Sequence, residues 1–519
     1  MKKLLPIGIQ TFKKLRQEGF LYVDKTRYIY KLITQGSVYF FARPRRFGKS
    51  LLISTLKEIF VGNKDLFQGL YIYQTNYQWH EYPVIRIDFS GMDKDNPELL
   101  KKDLILTLDI ISQAYNIKFD IVFNNPATYL KFLIQKLSNI NKVVILIDEY
   151  DAPLVKQINN PEIFKENREF LKEFYAVIKA QDEYIRFVLL TGVSKFSKVG
   201  VFSGLNNLED ITMDGTYNSL LGLTQEEVET NFNDYLKEFR ENAQTTSENL
   251  LLKIKHWYNG YRFSEKEEYV YNPFSTLLLF KQQKFRYHWF ESGTPSFLIN
   301  LIKEQNYNIE KLDNLEIGAA GFSSYEIENL TPLSLLFQTG YLTIKDYNPE
   351  FGIYKLAYPN FEVKSAFLDR LTQSYTKLES GLSESYIVKL SKALVDNNLK
   401  EFFDKLRVFF ANIPYDLQLK HEKYYQTIFY LIFSLIGLKT KAEVKTNHGR
   451  IDAVIELENT MYIFEFKLYD SKEDALSQIK EKKYYEKFLN KNKDIYLVGV
   501  EFDKCKKNIG EYISELVNV

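Results

Sequence analysis

The stretch Ser37–Leu52, SVYFFARPRRFGKSLL, constrains this chain more than any other, because it reads as a hydrophobic strand feeding a phosphate-binding loop and then a helix. Gly48 lets the backbone approach a polyphosphate, Lys49 sets an ammonium against the terminal phosphates, and Ser50 offers a hydroxyl to magnesium. ATP or GTP is therefore the first ligand to expect. The glycine usual five residues before Gly48 is here Arg43, inside the basic run Arg43-Pro44-Arg45-Arg46. Arg43, Arg45, Arg46 and Phe47 join Gly48, Lys49 and Ser50 as expected nucleotide contacts. Whether the arginines bind phosphate directly or reshape the loop is open at this level.

Apolar strand candidates (VYFFA, PVIRIDF, KVVILIDEY, IRFVLLTG) alternate with helical stretches from Val38 to Thr191, the pattern of a parallel α/β sheet. The text from about Glu226 to Lys400 is mostly helical and aromatic. After Asn412 the order becomes α-β-β-β-α-β: helix from about Leu417, strands from Ala442, Arg450 and Thr460, helix from Ser471, strand from Asp494. Three domains are expected, at 1–225, 226–400 and 401–519. The chain has 519 residues, and a domain takes roughly 100 to 200.

The strand Lys142–Tyr150, KVVILIDEY, supplies the partner that the loop needs. Its terminal acid Asp148 is placed to hold magnesium through water, and Glu149 to polarise the water that attacks the γ phosphate, with Asp151 as a helper. Thr191 and Ser194, after the strand RFVLLTG, reach the same sheet edge; they either sense the γ phosphate or serve as ordinary turn hydroxyls. Asp24, Lys25 and Thr26 either line a base pocket or, the better reading for Asp24, cap the helix that follows.

A second constellation runs from His448-Gly449-Arg450-Ile451-Asp452 to Glu465-Phe466-Lys467. Glu465 and Lys467 lie two apart on a strand and share a face, and a short Glu458-Asn459 turn brings Asp452 alongside. Two acids and a lysine at such spacing suit phosphodiester hydrolysis: Asp452 and Glu465 hold magnesium, and Lys467 orients water or phosphate. Glu422 on the preceding helix adds a further metal ligand, and Gln478 on the following helix positions the nucleophile.

Charge gives no general pull toward a polyanion. Lys plus Arg number 68 against 67 Asp plus Glu, and from Lys439 onward the tally is 15 against 15. Lys480, Lys482 and Lys483 form either a local phosphate patch or a solvated helix face. The single cysteine, Cys505, excludes an intramolecular disulfide and fits a reducing compartment. No window reaches about 18 uncharged apolar residues, so a cytoplasmic protein without a membrane span is expected. The five histidines, at 80, 256, 288, 421 and 448, show no zinc spacing.

Taken together, LPIGIQTFKKLRQEGFLYVDKT, FFARPRRFGKSLL, ILIDEYDAP, HWYNGYRF, LLFQTGYL, GRIDAVIELENTMYIFEFKL and ALSQIKEKKYY resemble the bacterial AAA-ATPase-like proteins that carry a C-terminal nuclease domain of the PD-(D/E)XK superfamily. The resemblance makes Arg43 a family trait. It implies an ATP-binding P-loop core fused to a restriction-endonuclease-like domain, with Asp452, Glu465 and Lys467 at the catalytic positions. Gly-Arg-Ile-Asp stands where the superfamily often has Pro-Asp. The expected activity is ATP binding or hydrolysis controlling a magnesium-dependent nuclease, with nucleic acid, DNA first, as partner. A homo-oligomer is compatible, with Arg168 and Arg186 available as arginine fingers. The alternatives are a regulatory switch whose nuclease-like domain binds without cutting, and a nuclease whose P-loop holds nucleotide as a structural or sensing ligand.

Overall fold

A computed structural model describes residues 2–194, 201–202, 204–205, 207–290, 296–305, 307–322, 332–379, 381–414, 422–440, 443–446, 451–467, 471–503 and 506–517. They cluster into two compact units, 1–305 with 313–362, and 306–312 with 363–519.

The first unit is built on strands β1 (Val38–Ala42), β2 (Val84–Asp88), β3 (Val143–Asp148), β4 (Ile185–Gly192) and β5 (Glu209–Asp210), in the order β2-β3-β4-β1-β5. All neighbours are parallel. β1 and β3 are buried at every position, which is why they read as continuous apolar runs with no alternation. Three of the helices flanking this sheet, Pro97–Ala114, Pro126–Leu137 and Pro161–Ala180, start at an Asn-Pro pair. In each the asparagine side chain accepts from a free amide of the first turn, and the proline takes a position with no amide to satisfy. A parallel sheet gathers the carboxyl ends of its strands on one edge, so the loop after β1, Asp148 and Thr191 arrive together. In register, Ala42 is beside Gly192 and Asp88 beside Asp148.

Further along this unit, helices Gln225–Asn231, Asn233–Asn242, Ser247–Tyr258 and Pro273–Gln282 share a core around Phe232, Ile254 and Phe280. Among the described residues, a small antiparallel sheet of β6 (Leu315–Gly318), β7 (Thr343–Asn348) and β8 (Ile353–Ala357) in the order β6-β8-β7 departs from the helical expectation for this stretch. Its strands are four to six residues long, too short for period-two patterning to stand out.

In the second unit, helices Leu382–Val395, Leu399–Ala411 and Glu422–Thr440 precede a mixed sheet of β9 (Glu443–Thr446), β10 (Ile451–Glu456), β11 (Thr460–Lys467), β12 (Asp494–Asp503) and β13 (Asn508–Leu516). The order is β13-β12-β11-β10-β9. Only β11 and β12 are parallel, and the helix Lys472–Glu481 forms the crossover that parallel pairing needs. Alternation along β11 splits its two faces. Phe464 and Phe466 pack on Phe433 and Phe429, at ring distances of 5.2 and 4.4 Å, while Met461 and Ile463 join Leu476 and Ile479 of the crossover helix. The α-β-β-β-α-β order is present, extended by β13, an edge strand too polar to signal itself. Among the described residues no helix is long and apolar enough to cross a membrane.

Candidate functional site

The loop between β1 and helix Lys49–Phe60 ends at Gly48, whose φ of +98° only glycine adopts without strain; the space beside it is open, the nearest atom to an added Cβ being 3.9 Å away. Arg46, at φ +67°, accepts that strain. The helix N-terminus that follows favours an anion. A cavity of about 470 Å³ opens here, lined by Arg45, Arg46, Lys49, Ser50, Glu149 and Asp151 among others. That volume falls within the roughly 300–1,000 Å³ of small-ligand sites. Lys49 Nζ donates to the carbonyls of Arg43 and Pro44 at 3.0 and 3.1 Å. Burial pushes its pKa down, against the pull of Asp148, Glu149 and Asp151.

Arg43 and Phe47 turn away from that cavity and line none of it. The Arg43 guanidinium is 1% exposed, donates to the carbonyls of Ala42, Thr212 and Tyr217, and lies 4.3 Å from the rings of both Phe41 and Phe263. Burial pushes its pKa down to about 9, so it stays a cation at neutral pH. Phe47 sits edge-to-face against Tyr261 and Phe263. Both are large side chains whose partners lie far along the chain, so the basic, aromatic text around the loop gave no sign of their direction.

Asp148 is fully buried at the end of β3. Its Oδ1 accepts from Thr191 Oγ1 at 2.6 Å and from the Glu149 amide at 3.1 Å, whereas its Oδ2 has no hydrogen-bond partner among the described residues. A buried carboxylate oxygen without a donor fits a cation, and with the Ser50 hydroxyl the donor set is all oxygen, as magnesium requires. Thr191 thus acts on Asp148, and neither residue lines the cavity that Ser50 and Glu149 line. Glu149 does line the cavity, at φ +51°; burial pushes its pKa up, Lys49 opposes this, and Asp151, Asp148 and Asp88 add to it.

Asp151 ties β3 to the end of β4. Its Oδ2 accepts from the Ser194 amide and hydroxyl at 2.8 and 2.7 Å, and from the Val193 amide at 3.2 Å. Burial pushes the carboxyl pKa up, and the Ser194 hydrogen bonds oppose it. Gly192 makes the approach feasible, because a Cβ there would lie 2.5 Å from the Tyr150 ring and 2.6 Å from Asp151 Oδ1.

Sequence reasoning missed the far wall of the cavity. Phe274, Trp289 and Tyr341 line it, from the mostly helical stretch where no motif spacing exists to flag them. Asp24 accepts from the Thr26 amide and hydroxyl at 2.8 and 2.6 Å and from the Tyr71 amide at 2.7 Å, but the cap of helix Thr26–Gln35 is Lys25, with no side-chain hydrogen bond, so Asp24 fixes the turn before the helix and is not its cap. Lys25 donates to both Glu227 carboxylate oxygens at 2.7 Å and borders a smaller, mainly apolar cavity of about 110 Å³ that shares Gly48 and Leu51 with the larger one.

In the second unit, β10 and β11 pair so that Asp452 stands directly opposite Glu465. The side chains of Asp452 and Glu422 lie outside the described residues, as do His448, Gly449 and Arg450. Glu465 is 2% exposed; its Oε1 accepts from Gln478 Nε2 and lies 3.8 Å from Lys467 Nζ, while Lys467 Nζ donates to Gln478 Oε1. Gln478 therefore bridges the acid and the lysine from the crossover helix. That helix sits close because β12 offers Gly499, beside Glu465 in register, where a Cβ would come within 2.3 Å of the Lys472 carbonyl. Two of the three lysines proposed as a phosphate patch are ion-paired, Lys480 with Glu515 at 2.6 Å and Lys483 with Glu486 at 2.8 Å.

Comparison with known proteins matches two separate stretches of the chain. Residues 6–202 match the family described as Predicted AAA-ATPase, and residues 420–512 match the PD-(D/E)XK nuclease superfamily. An uncharacterized protein in the vnfD 5′ region of Azotobacter chroococcum is 38% identical over 527 residues, covering 99% of each chain. With the loop and its acids inside the first match and the Asp452–Glu465 pair inside the second, the chain belongs to the AAA-ATPase-like proteins that carry a C-terminal PD-(D/E)XK nuclease superfamily domain.

Proposed function

We propose that this protein binds and hydrolyses ATP and cuts phosphodiester bonds in nucleic acid, DNA first, with the nucleotide state controlling the cut. The observation that carries the nuclease half is the register pairing of Asp452 with Glu465, beside a glutamine that donates to that acid and accepts from Lys467. In the nucleotide site Lys49 and the helix N-terminus bind the phosphates, Ser50 and Asp148 would hold magnesium, and Glu149 takes the proton of the attacking water. Thr191 fixes the rotamer of Asp148. In the second site Asp452 and Glu465, with Glu422, would hold magnesium, Lys467 holds the scissile phosphate or its water, and Gln478 fixes the geometry of both. Magnesium, when bound, neutralises phosphate charge and acidifies water. The joining of the two domains in one chain is what supports control of one site by the other. The domain limits 1–225, 226–400 and 401–519, a cytoplasmic location and a homo-oligomer are parts of the same proposal.

The test is cleavage of circular and linear DNA and of RNA, with and without ATP and magnesium, alongside phosphate release. Asp452→Ala and Lys49→Ala serve as controls. Cleavage that vanishes in Asp452→Ala and changes with nucleotide supports the reading. Nucleotide binding without any cleavage would replace it with the non-cutting switch.

A further inference from the structure

The loop residues 43–47 are large for a phosphate cradle, and each is met by a segment beyond residue 258. Phe263 lies against Arg43, and a methyl on Gly340 would come within 2.8 Å of the Pro44 ring. The Arg45 carbonyl accepts from the Trp289 indole Nε1 at 3.1 Å. Arg46 sits 4.7 Å over the Phe274 ring, and Phe47 meets Tyr261 at 5.0 Å. A glycine-rich loop takes its shape from backbone freedom. This loop takes it from contacts.

Among those five partners, Trp289 holds loop backbone through a hydrogen bond. It is itself fixed from behind: its amide donates to Glu362 Oε1 at 2.7 Å, and Glu362 Oε2 accepts from Ser275 Oγ at 2.9 Å on the helix that carries Phe274. Glu362 is 1% exposed, and the Tyr341 ring closes the side of the indole at 5.2 Å. The indole also lines the 470 Å³ cavity.

From this geometry we infer that Trp289 is a positioning residue for the phosphate loop, its indole N–H holding the Arg45 carbonyl so that Arg45 and Arg46 stay on the cavity wall. The role in nucleotide binding rests on the reading of this cavity as the nucleotide site; the role in fixing the loop does not.

The test is Trp289→Phe in the full chain, which keeps an aromatic ring against Tyr341 and removes the N–H together with the rest of the indole's five-membered ring. Without nucleotide, trypsin should cut after Arg45 and Arg46 roughly fivefold faster than in wild type, the worth of one hydrogen bond, with the melting temperature held within about 2 °C. The KM for ATP should rise by a similar factor with kcat unchanged. Wild-type cleavage together with wild-type KM overturns the inference, and so does faster cleavage matched by a general loss of melting temperature. Faster cleavage in a protein that binds no nucleotide sinks the nucleotide reading and leaves the loop role standing. If Trp289→Phe does not fold, Ser275→Ala loosens Glu362 without touching the indole, and unchanged tryptic cleavage there overturns the inference.

Discussion

The cavity beside the β1 loop and the carboxylate hairpin both place acids and a lysine at strand ends, yet the chain assembles them in opposite ways. The first draws on the loop after β1, the ends of β3 and β4, and aromatic residues out to Tyr341. The second lies mostly within Asp452–Gln478, a hairpin and the next helix, with Glu422 proposed from the helix before it. A site drawn from distant segments depends on the packing of its whole unit, whereas a hairpin site depends on one register. The two should therefore fail under different kinds of damage.

The largest effect belongs to the hairpin. Asp452→Ala should lower magnesium-dependent cleavage at least about a thousandfold, read as nicking of plasmid DNA, with phosphate release from ATP unchanged. A parallel fall in phosphate release would show that the two sites are not separable. Lys49→Ala should weaken nucleotide turnover on the order of a hundredfold, checked by phosphate release. Basal cleavage without ATP should survive that change if the hairpin site is self-contained.

Two glycines sharpen the contrast at the level of stability. Gly192→Ala and Gly499→Ala each force a Cβ into atoms 2.5 Å and 2.3 Å away, at an overpacking cost of about 1–3 kcal/mol. Denaturant unfolding should show both losses of stability, while nucleotide binding assays should be weakened by the first alone and cleavage assays by the second alone. Loss of both functions from either variant would mean that the units unfold together. Thr191→Val, which removes a charge-assisted hydrogen bond to Asp148, should cost about tenfold in phosphate release at saturating ATP.

The smallest effect is in pH. Glu149, as the proposed base, would act only when deprotonated, and burial raises its pKa. Phosphate release should therefore climb with pH through a midpoint above the ordinary glutamate value of about 4.3. Asp151→Asn removes one of the negative charges that raise that pKa and should shift the limb toward lower pH. An unmoved limb would assign the base to another group.

The same contrast explains what could be read from sequence. The register of Asp452 opposite Glu465 and the meeting of Glu465, Lys467 and Gln478 were legible because strand alternation, a short turn and one helix relate them locally. Gly48, Lys49, Ser50, Asp148 and Glu149 were legible because a parallel sheet sends its strand ends to one edge. The directions of Arg43 and Phe47 were not, since Phe263 and Tyr261, more than two hundred positions on, decide them. Trp289 and Tyr341 carried no spacing, and β13 lacked the apolar alternation that marks a strand. Thr191 was placed on the right edge, and its partner Asp148 became visible only with the register of β3 and β4.

The pairing of Asp452 with Glu465 makes the short connection between β10 and β11 a counting device. β11 is pinned on its other side by β12, with Glu465 beside Gly499, so any change in length at Glu458-Asn459 must be absorbed by β10. A shift of one residue brings Ile451 or Ala453 opposite Glu465, while the composition of the connection is free to drift. What selection has to preserve there is a number of residues and not their identity.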